Sequence, residues 1–441
     1  MGHRILPVEI WGIIFNFATA CPEEWEFGTR ERYWNHSFDP NNTIERWEDA
    51  LKTRRSLVAV SRFFNQLTIP LLYQSFFAIR SSQISRFKSA LQTRPALGEY
   101  MKRLGSITWI KPFPYPEYLP ILRCCPNVVF YDAELSPSIL KPAQSLRSLE
   151  LIDTPEFGDG ATAPAFLYLL ASMLQATPQL ENLGLYRLPF QVNITNVQLF
   201  ASIRLEYLRS LHLRAYSPNP FGPPGTIRTV TLFFSLTLPR LEDLLLEGGE
   251  FEDAVLSGIP ALWLQQIRRF NVTHASIRSC RLDPNHFHRL RKLTIDFSST
   301  YDVDPRGKLH KKLPLIQLEE IELVDCTPSI HLSIAGFEAL YSVFCLCADD
   351  TTTPKLRSLS TDVIVSETRY RLKSPQFIKE CLTKLQSVVE RILVRGIDPK
   401  GLDSSSLRLI LRKMIEITET WIIGDRNMTK GGLRREDKED V

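Results

Sequence analysis

The spacing Leu-x-x-Leu-x-Leu recurs through most of the chain, and a repeat limits the possible folds more than any other feature of a sequence. It stands at Leu146, Leu149 and Leu151, at Leu180, Leu183 and Leu185, at Leu208, Leu211 and Leu213, and at Leu241, Leu244 and Leu246. It continues as Ile267, Phe270 and Val272, as Leu290, Leu293 and Ile295, and as Leu318, Ile321 and Leu323. Leu104, Ile107 and Trp109 form a divergent first copy, Leu356 and Leu359 a degraded late one, and Val389, Ile392 and Val394 a last one, with Cys125 to Tyr131 left unassigned. The x-Leu-x-Leu core has the period of a strand, whereas Phe166 to Gln175, Phe337 to Cys347 and Gln376 to Val389 have helical apolar spacing. One strand and one helix per unit predict an α/β solenoid, with a parallel sheet on its concave face and helices on its convex face, because each unit leaves an apolar face that only its neighbours cover.

Irregular length and leucine placement make the array similar to leucine-rich repeats, although the Asn or Cys usual after the strand is mostly absent, Cys326 being an exception. Alternate strand residues point to opposite sides, so the neighbours of the leucines face the concavity. That row holds Glu150, Tyr186, His212, Arg214, Glu247, Asn271, Asp296, Glu322 and Arg395. Its mixture of aromatic and oppositely charged groups suits an unknown protein target better than a polyanion.

At 441 residues the chain exceeds what one hydrophobic core sustains. Its 53 Lys plus Arg nearly balance 49 Asp plus Glu, which argues against nucleic acid as a partner. Eight scattered cysteines do not make a disulfide framework and read as reduced, mostly buried thiols. No apolar run approaches the ~18 residues of a membrane span, so no membrane partner is expected. Pro7, Glu9 and Asn16 interrupt the first apolar stretch, which weighs against a secretory signal and for a cytoplasmic or nuclear protein. The chemistry of an enzyme is missing: there is no phosphate-cradling loop, nucleophile elbow or His-Glu-x-x-His. Gly158 to Ala163 fails as a dinucleotide fingerprint because five residues, Asp153 to Phe157, separate it from the preceding Ile152, where a tight turn is needed. Cys345 with Cys347 and His286 with His288 lack a second pair at zinc-site spacing. Catalytic, cofactor and metal residues are therefore all expected to be none.

The N-terminus reads as a helix. Pro7 suits its first turn, Ile10, Ile13, Ile14 and Phe17 share one face, and Trp11, Phe15 and Ala18 form a second. A further helix, predicted from Asn42 as N-cap and running from Thr43 to Leu67, carries Leu57, Val60, Phe64 and Leu67 at helical spacing until Pro70 ends it. Helices this short cannot bury both apolar faces themselves, so another domain or another protein must cover part of them. Residues 19–54 form an insert holding Trp25, Trp34 and Trp47.

Leu6-Pro7-x-Glu9-Ile10, Ile13-Ile14, Leu57-Val58-x-Val60-Ser61-Arg62-x-Phe64 and Pro70-Leu71-Leu72-Tyr73 resemble an F-box, particularly its form in mushroom-forming fungi, with Phe64 where the family often has Trp and Ser61 where it often has Cys. The resemblance implies that Leu6, Pro7, Ile10, Ile13, Ile14, Leu57, Val60 and Phe64 bind a Skp-type adaptor and through it a cullin-RING ubiquitin ligase. It implies a substrate receptor that is no enzyme, with an F-box module over 1–80, a solenoid over 81–424 and a polar tail over 425–441. The competing expectation is a leucine-rich interaction scaffold without ligase attachment.

Overall fold

The computed structural model describes residues 6–21, 40–78, 81–106, 121, 124–134, 145–152, 163–189, 191–192, 199–216, 227–247, 258–273, 287–296, 315–324, 343–361, 387–388, 390–392 and 394–397. Trp25, Trp34, Ile107, Trp109, residues 158–162, His286, Cys326 and the tail over 425–441 lie outside them. The chain divides into two compact units, the first holding Met1–Gly249 and Gly258–Trp263, the second Glu250–Ser257 and Leu264–Val441.

Helix α1 (Val8–Ala18) starts at Pro7, whose carbonyl accepts from the Ile10 and Trp11 amides. It ends at Thr19, whose hydroxyl and amide both donate to the Phe15 carbonyl. The expected helix from Thr43 to Leu67 is instead two, α2 (Pro40–Val60) and α3 (Arg62–Tyr73). Ser61 breaks them apart: its backbone is extended, and its hydroxyl accepts from the Phe64 amide at 3.1 Å, so it caps α3. Pro70 does not stop α3, which passes through it to Tyr73. The missing N–H costs one backbone bond in the last turn. Thr68 and Leu71, buried on either side, supply the packing that holds the turn together.

Tyr73 leads almost directly into β1 (Ser75–Ala78), the first strand of the first unit's sheet. Trp47 of α2 packs edge-on against Phe77 at 5.6 Å, in a core with Cys21 and Ala50. Arg54, also buried, donates to the Thr19 carbonyl at 3.0 Å and the Ser75 hydroxyl at 3.3 Å, tying α1, α2 and β1 together. α4 (Ser81–Thr93) follows. β2 (Arg103–Ser106) carries the buried Arg103, its guanidinium 4.9 Å from the Phe77 ring centre and 3.7 Å from that of Phe130.

The remaining strands of the first unit are β3 (Phe130–Glu134), β4 (Ser148–Ile152), β5 (Asn182–Pro189), β6 (Gln191–Val192), β7 (Ser210–Tyr216), β8 (Ile227–Arg228) and β9 (Asp243–Glu247). β1, β2, β3, β4, β5, β7 and β9 follow one another in a parallel sheet, while β6 and β8 pair antiparallel on their own. β3 begins at the end of the unassigned stretch and sets Tyr131 and Ala133 in register with Leu149 and Leu151. The repeat register is the hydrogen-bond register: Leu149, Leu183, Leu211 and Leu244 are successive partners, as are Leu151, Leu185, Leu213 and Leu246, all buried. α5 (Ala163–Ala176) matches the helix expected from Phe166 to Gln175.

The second unit repeats the arrangement in β10 (Arg269–Thr273), β11 (Lys292–Asp296), β12 (Glu320–Val324) and β13 (Ser358–Thr361), all parallel. Phe270, Leu293, Ile321 and Leu359 align across it as the copies require. The last expected copy is corrected: its described residues are helical through Val394, with Val388 and Ile392 four residues apart and both buried. That interval suits a helix as well as Val389-x-x-Ile392 suits a strand, and burial selects the helical face.

Leu211 lies at zero exposure between Leu183 and Leu244. Leu211→Ala should destabilise the chain by about 2 to 5 kcal/mol, a cavity left in a well-packed core. Urea denaturation is the measurement, and a midpoint equal to that of the parent would contradict the register.

Candidate functional site

Two surfaces can be built from the residues upward. The first is α1 with the entry to α3. Trp11 and Phe15 face inward onto Phe64, with ring centres 5.1 and 4.8 Å apart, and Phe15 is only 2% exposed. The opposite face is apolar and open. Ile13 is 65% and Phe17 87% exposed, and Leu6, Ile10 and Ile14 are exposed beside them. Val60 and Phe63 extend the exposed apolar side chains across the Ser61 break.

Of the residues expected to bind an adaptor, Leu6, Pro7, Ile10, Ile13, Ile14 and Val60 are exposed, whereas Leu57 and Phe64 are half-buried. Phe64 joins α1 to α3, so it positions the face at least as much as it belongs to it. Val8, Phe17 and Phe63 are exposed apolar residues outside the expected set. Phe17 was signalled by its i+7 spacing from Ile10; nothing local signals Phe63, whose exposure follows from the cap at Ser61. Contiguous exposed apolar side chains of this kind mark interaction sites.

The second surface is the strand face opposite the leucines. In the first unit it is not open. Glu150 has no exposure, and Tyr186 and His212 are also buried. They are brought together by register: Glu150, Gly184 and His212 are successive partners on β4, β5 and β7. A Cβ at Gly184 would lie 2.9 Å from the Tyr186 hydroxyl, so only a glycine leaves room for that ring. His212 Nε2 is 3.5 Å from Asp243 Oδ2, and the Asn182 amide donates to the Ser148 hydroxyl at 2.7 Å. Residues expected to meet a target thus form a buried polar layer. Arg214 and Glu247 are register partners on β7 and β9, their side chains lying outside the described residues.

In the second unit the face is partly open. Asn271 and Glu322 are half-buried, and Asp296 occupies the end of β11, its side chain outside the described residues. Lys292 Nζ lies 3.3 Å from Glu320 Oε1 and 2.7 Å from Glu322 Oε2, and the Thr294 hydroxyl donates to Glu322 at 3.2 Å. Burial disfavours the charge on Lys292, but the hydrogen bonds and negative charges of Glu322 and Glu320 outweigh it and raise its pKa.

Arg395 is not on this face. It follows the C-terminal helical segment, and its guanidinium donates to the Cys347 carbonyl, to the Thr353 carbonyl at 2.6 Å and to the Thr353 hydroxyl at 3.3 Å, and pairs with Asp350. It is a clasp closing the C-terminal segment onto residues 347–353. The Cys347 thiol beneath is pushed up to about 12 by burial, against the opposing charge of Arg395, and so stays protonated and unreactive at neutral pH.

Compared with models of known protein families the chain matches none, and comparison with curated proteins likewise gives no match.

Arg395→Ala should remove the clasp, costing about 1 to 3 kcal/mol for carbonyls left without donors. Cys347 should then react faster with a thiol reagent at pH 8, read by mass spectrometry of the labelled peptide. Labelling at the parental rate would show that the segment stays closed without it.

Proposed function

We propose that this chain is the substrate-recognition subunit of an SCF-type ubiquitin ligase, docking on a Skp-type adaptor through α1 and the start of α3 and holding a target protein on its repeat array. One observation carries the reading. α1 is apolar nearly all round, yet among the described residues its Trp11 and Phe15 face packs on Phe64, while Ile10, Ile13, Ile14 and Phe17 are exposed. Exposed apolar side chains of that size gain roughly 25 cal/mol for each Å² that a partner buries. The F-box resemblance of these same residues supplies the kind of partner.

The mechanism is proximity. A target lysine held near a ubiquitin-charged carrier reacts at a raised effective concentration, and the chain itself donates no acid, base or nucleophile. The shared core of Trp47 and Phe77 and the bonds of Arg54 make the docking helices and the sheet of the first unit one body. Target contact is assigned to open positions such as Asn271 and Glu322, since Glu150, Tyr186 and His212 are buried.

Truncating apolar anchors at an interface centre typically costs more than ~1 kcal/mol each, so Ile10→Ala with Ile14→Ala should weaken adaptor binding at least about tenfold. Each side chain is 40% exposed and so loses some packing, and the chain should stay folded with a modest drop in melting temperature. A pull-down against purified adaptor with a melt alongside tests both. A folded double mutant that binds at parental strength removes the ligase reading and leaves an unattached leucine-rich scaffold.

A further inference from the structure

The residue just before each strand of the second unit extends the backbone ladder: the Arg268 carbonyl accepts from the Arg291 and Lys292 amides, that of Arg291 from Glu319 and Glu320, and that of Glu319 from Arg357 and Ser358. Arg268, Arg291, Glu319 and Arg357 are therefore neighbours at the strand spacing of ~4.8 Å. Arg291 and Glu319 extend to the same side, with Arg291 Nε 3.9 Å from Glu319 Oε1, and Arg268 and Arg357 hold the equivalent ladder positions on either side of them. Two residues earlier lies a second tier with Arg289 and Lys355, in which Lys355 Nζ donates to Gln317 Oε1 at 2.7 Å. All five of these cations are exposed. Glu319 is the only acid in the two tiers.

The equivalent first tier of the first unit does not concentrate one sign. Lys102, Arg147, Glu181, Arg209 and Glu242 occupy the same ladder positions there, and Arg147 pairs with Glu181. Five cations on one short edge stand out in a chain whose whole formal charge is +4.

We infer that this strand-entry edge of the second unit binds an Asp- or Glu-rich protein segment. Guanidinium groups match carboxylates in a two-pronged geometry, and a row of them across successive strands suits several carboxylates spread along an extended chain. Glu319 sits inside the row, and Glu320 and Glu322 follow it on the adjoining strand face. An unbroken run of phosphates would meet that negative charge, whereas a polypeptide can place a neutral or basic residue opposite it. This rests on the target-capture reading only in making the segment part of the target; the edge and its charge stand without the adaptor.

The test uses the full chain and fluorescence anisotropy with three labelled probes: an alternating Glu-Gly peptide, its Lys-Gly counterpart and an oligouridylate of equal charge. The acidic peptide should bind saturably, more weakly as salt rises, and the basic one should not. Arg291→Glu with Arg357→Glu should weaken acidic-peptide binding at least about tenfold. Lys102→Glu with Arg209→Glu, which changes net charge equally in the first unit, should leave it within about twofold. If the reversal pair does not fold, Arg291→Gln with Arg357→Gln carries the same comparison, with a smaller loss expected. Binding that ignores the second-unit substitutions, falls equally with both pairs, or is exceeded by the oligouridylate overturns the proposal. Adaptor binding by the Arg291 and Arg357 variants, measured separately, should be parental; a parent chain that binds the peptide but fails to bind purified adaptor sinks the ligase reading and leaves this one standing.

Discussion

The parallel backbone ladder on which the strand leucines are aligned is the constraint everything else depends on. A strand such as β7 has hydrogen-bonding edges that only β5 and β9 satisfy, and its Leu211 and Leu213 are buried only because Leu183, Leu185, Leu244 and Leu246 stand beside them. Backbone satisfaction and apolar burial are thus met by the same neighbours, which makes the register hard to shift: a slip of one residue would turn the leucines out and charged groups in. The second unit obeys the same rule with Phe270, Leu293, Ile321 and Leu359.

The ladder also fixes what sits on it. Because β1 is contributed by the segment leaving α3, the helices at the N-terminus are fastened to the sheet through Phe77 and Arg54, with Arg103 of β2 lying over the Phe77 ring. Both arginines are buried at charges' usual expense, Arg54 meeting it with a carbonyl and a hydroxyl, Arg103 partly by lying over the Phe77 and Phe130 rings. This anchoring turns the Trp11 and Phe15 face of α1 inward against Phe64 and leaves its isoleucines outward. An exposed apolar helix held on a stable body is pre-ordered for a partner, so little further ordering has to accompany binding.

The two units place chemically different groups on equivalent positions of their sheets. The first hides Glu150, Tyr186 and His212 in a polar layer, while the second leaves Lys292, Glu320 and Glu322 half in water and gathers cations where its strands begin. Partly exposed ion pairs such as Lys292 with Glu322 add little stability. Their groups can exchange partners with a bound chain at correspondingly small cost. A buried Glu150 cannot.

Periodicity along the chain determined the repeat, the parallel α/β class, the leucines of the core and the two apolar faces of α1, because those properties depend on spacing within about ten residues and a strand or helix enforces that spacing directly. Tertiary structure decided the rest. β3 forms without leucines because Phe130 finds the Lys102 carbonyl already in place, and α3 runs through Pro70 because Leu71 is buried beyond it. Arg395 had the spacing of a strand residue but closes a helical segment, since Cys347 and Thr353 offer it carbonyls 48 and 42 positions upstream. The row from Glu150 to Glu322 was legible as one face and not as two environments. Alternation tells which side of a sheet a residue takes, while whether that side is covered depends on segments distant in the chain, and no local pattern encodes them.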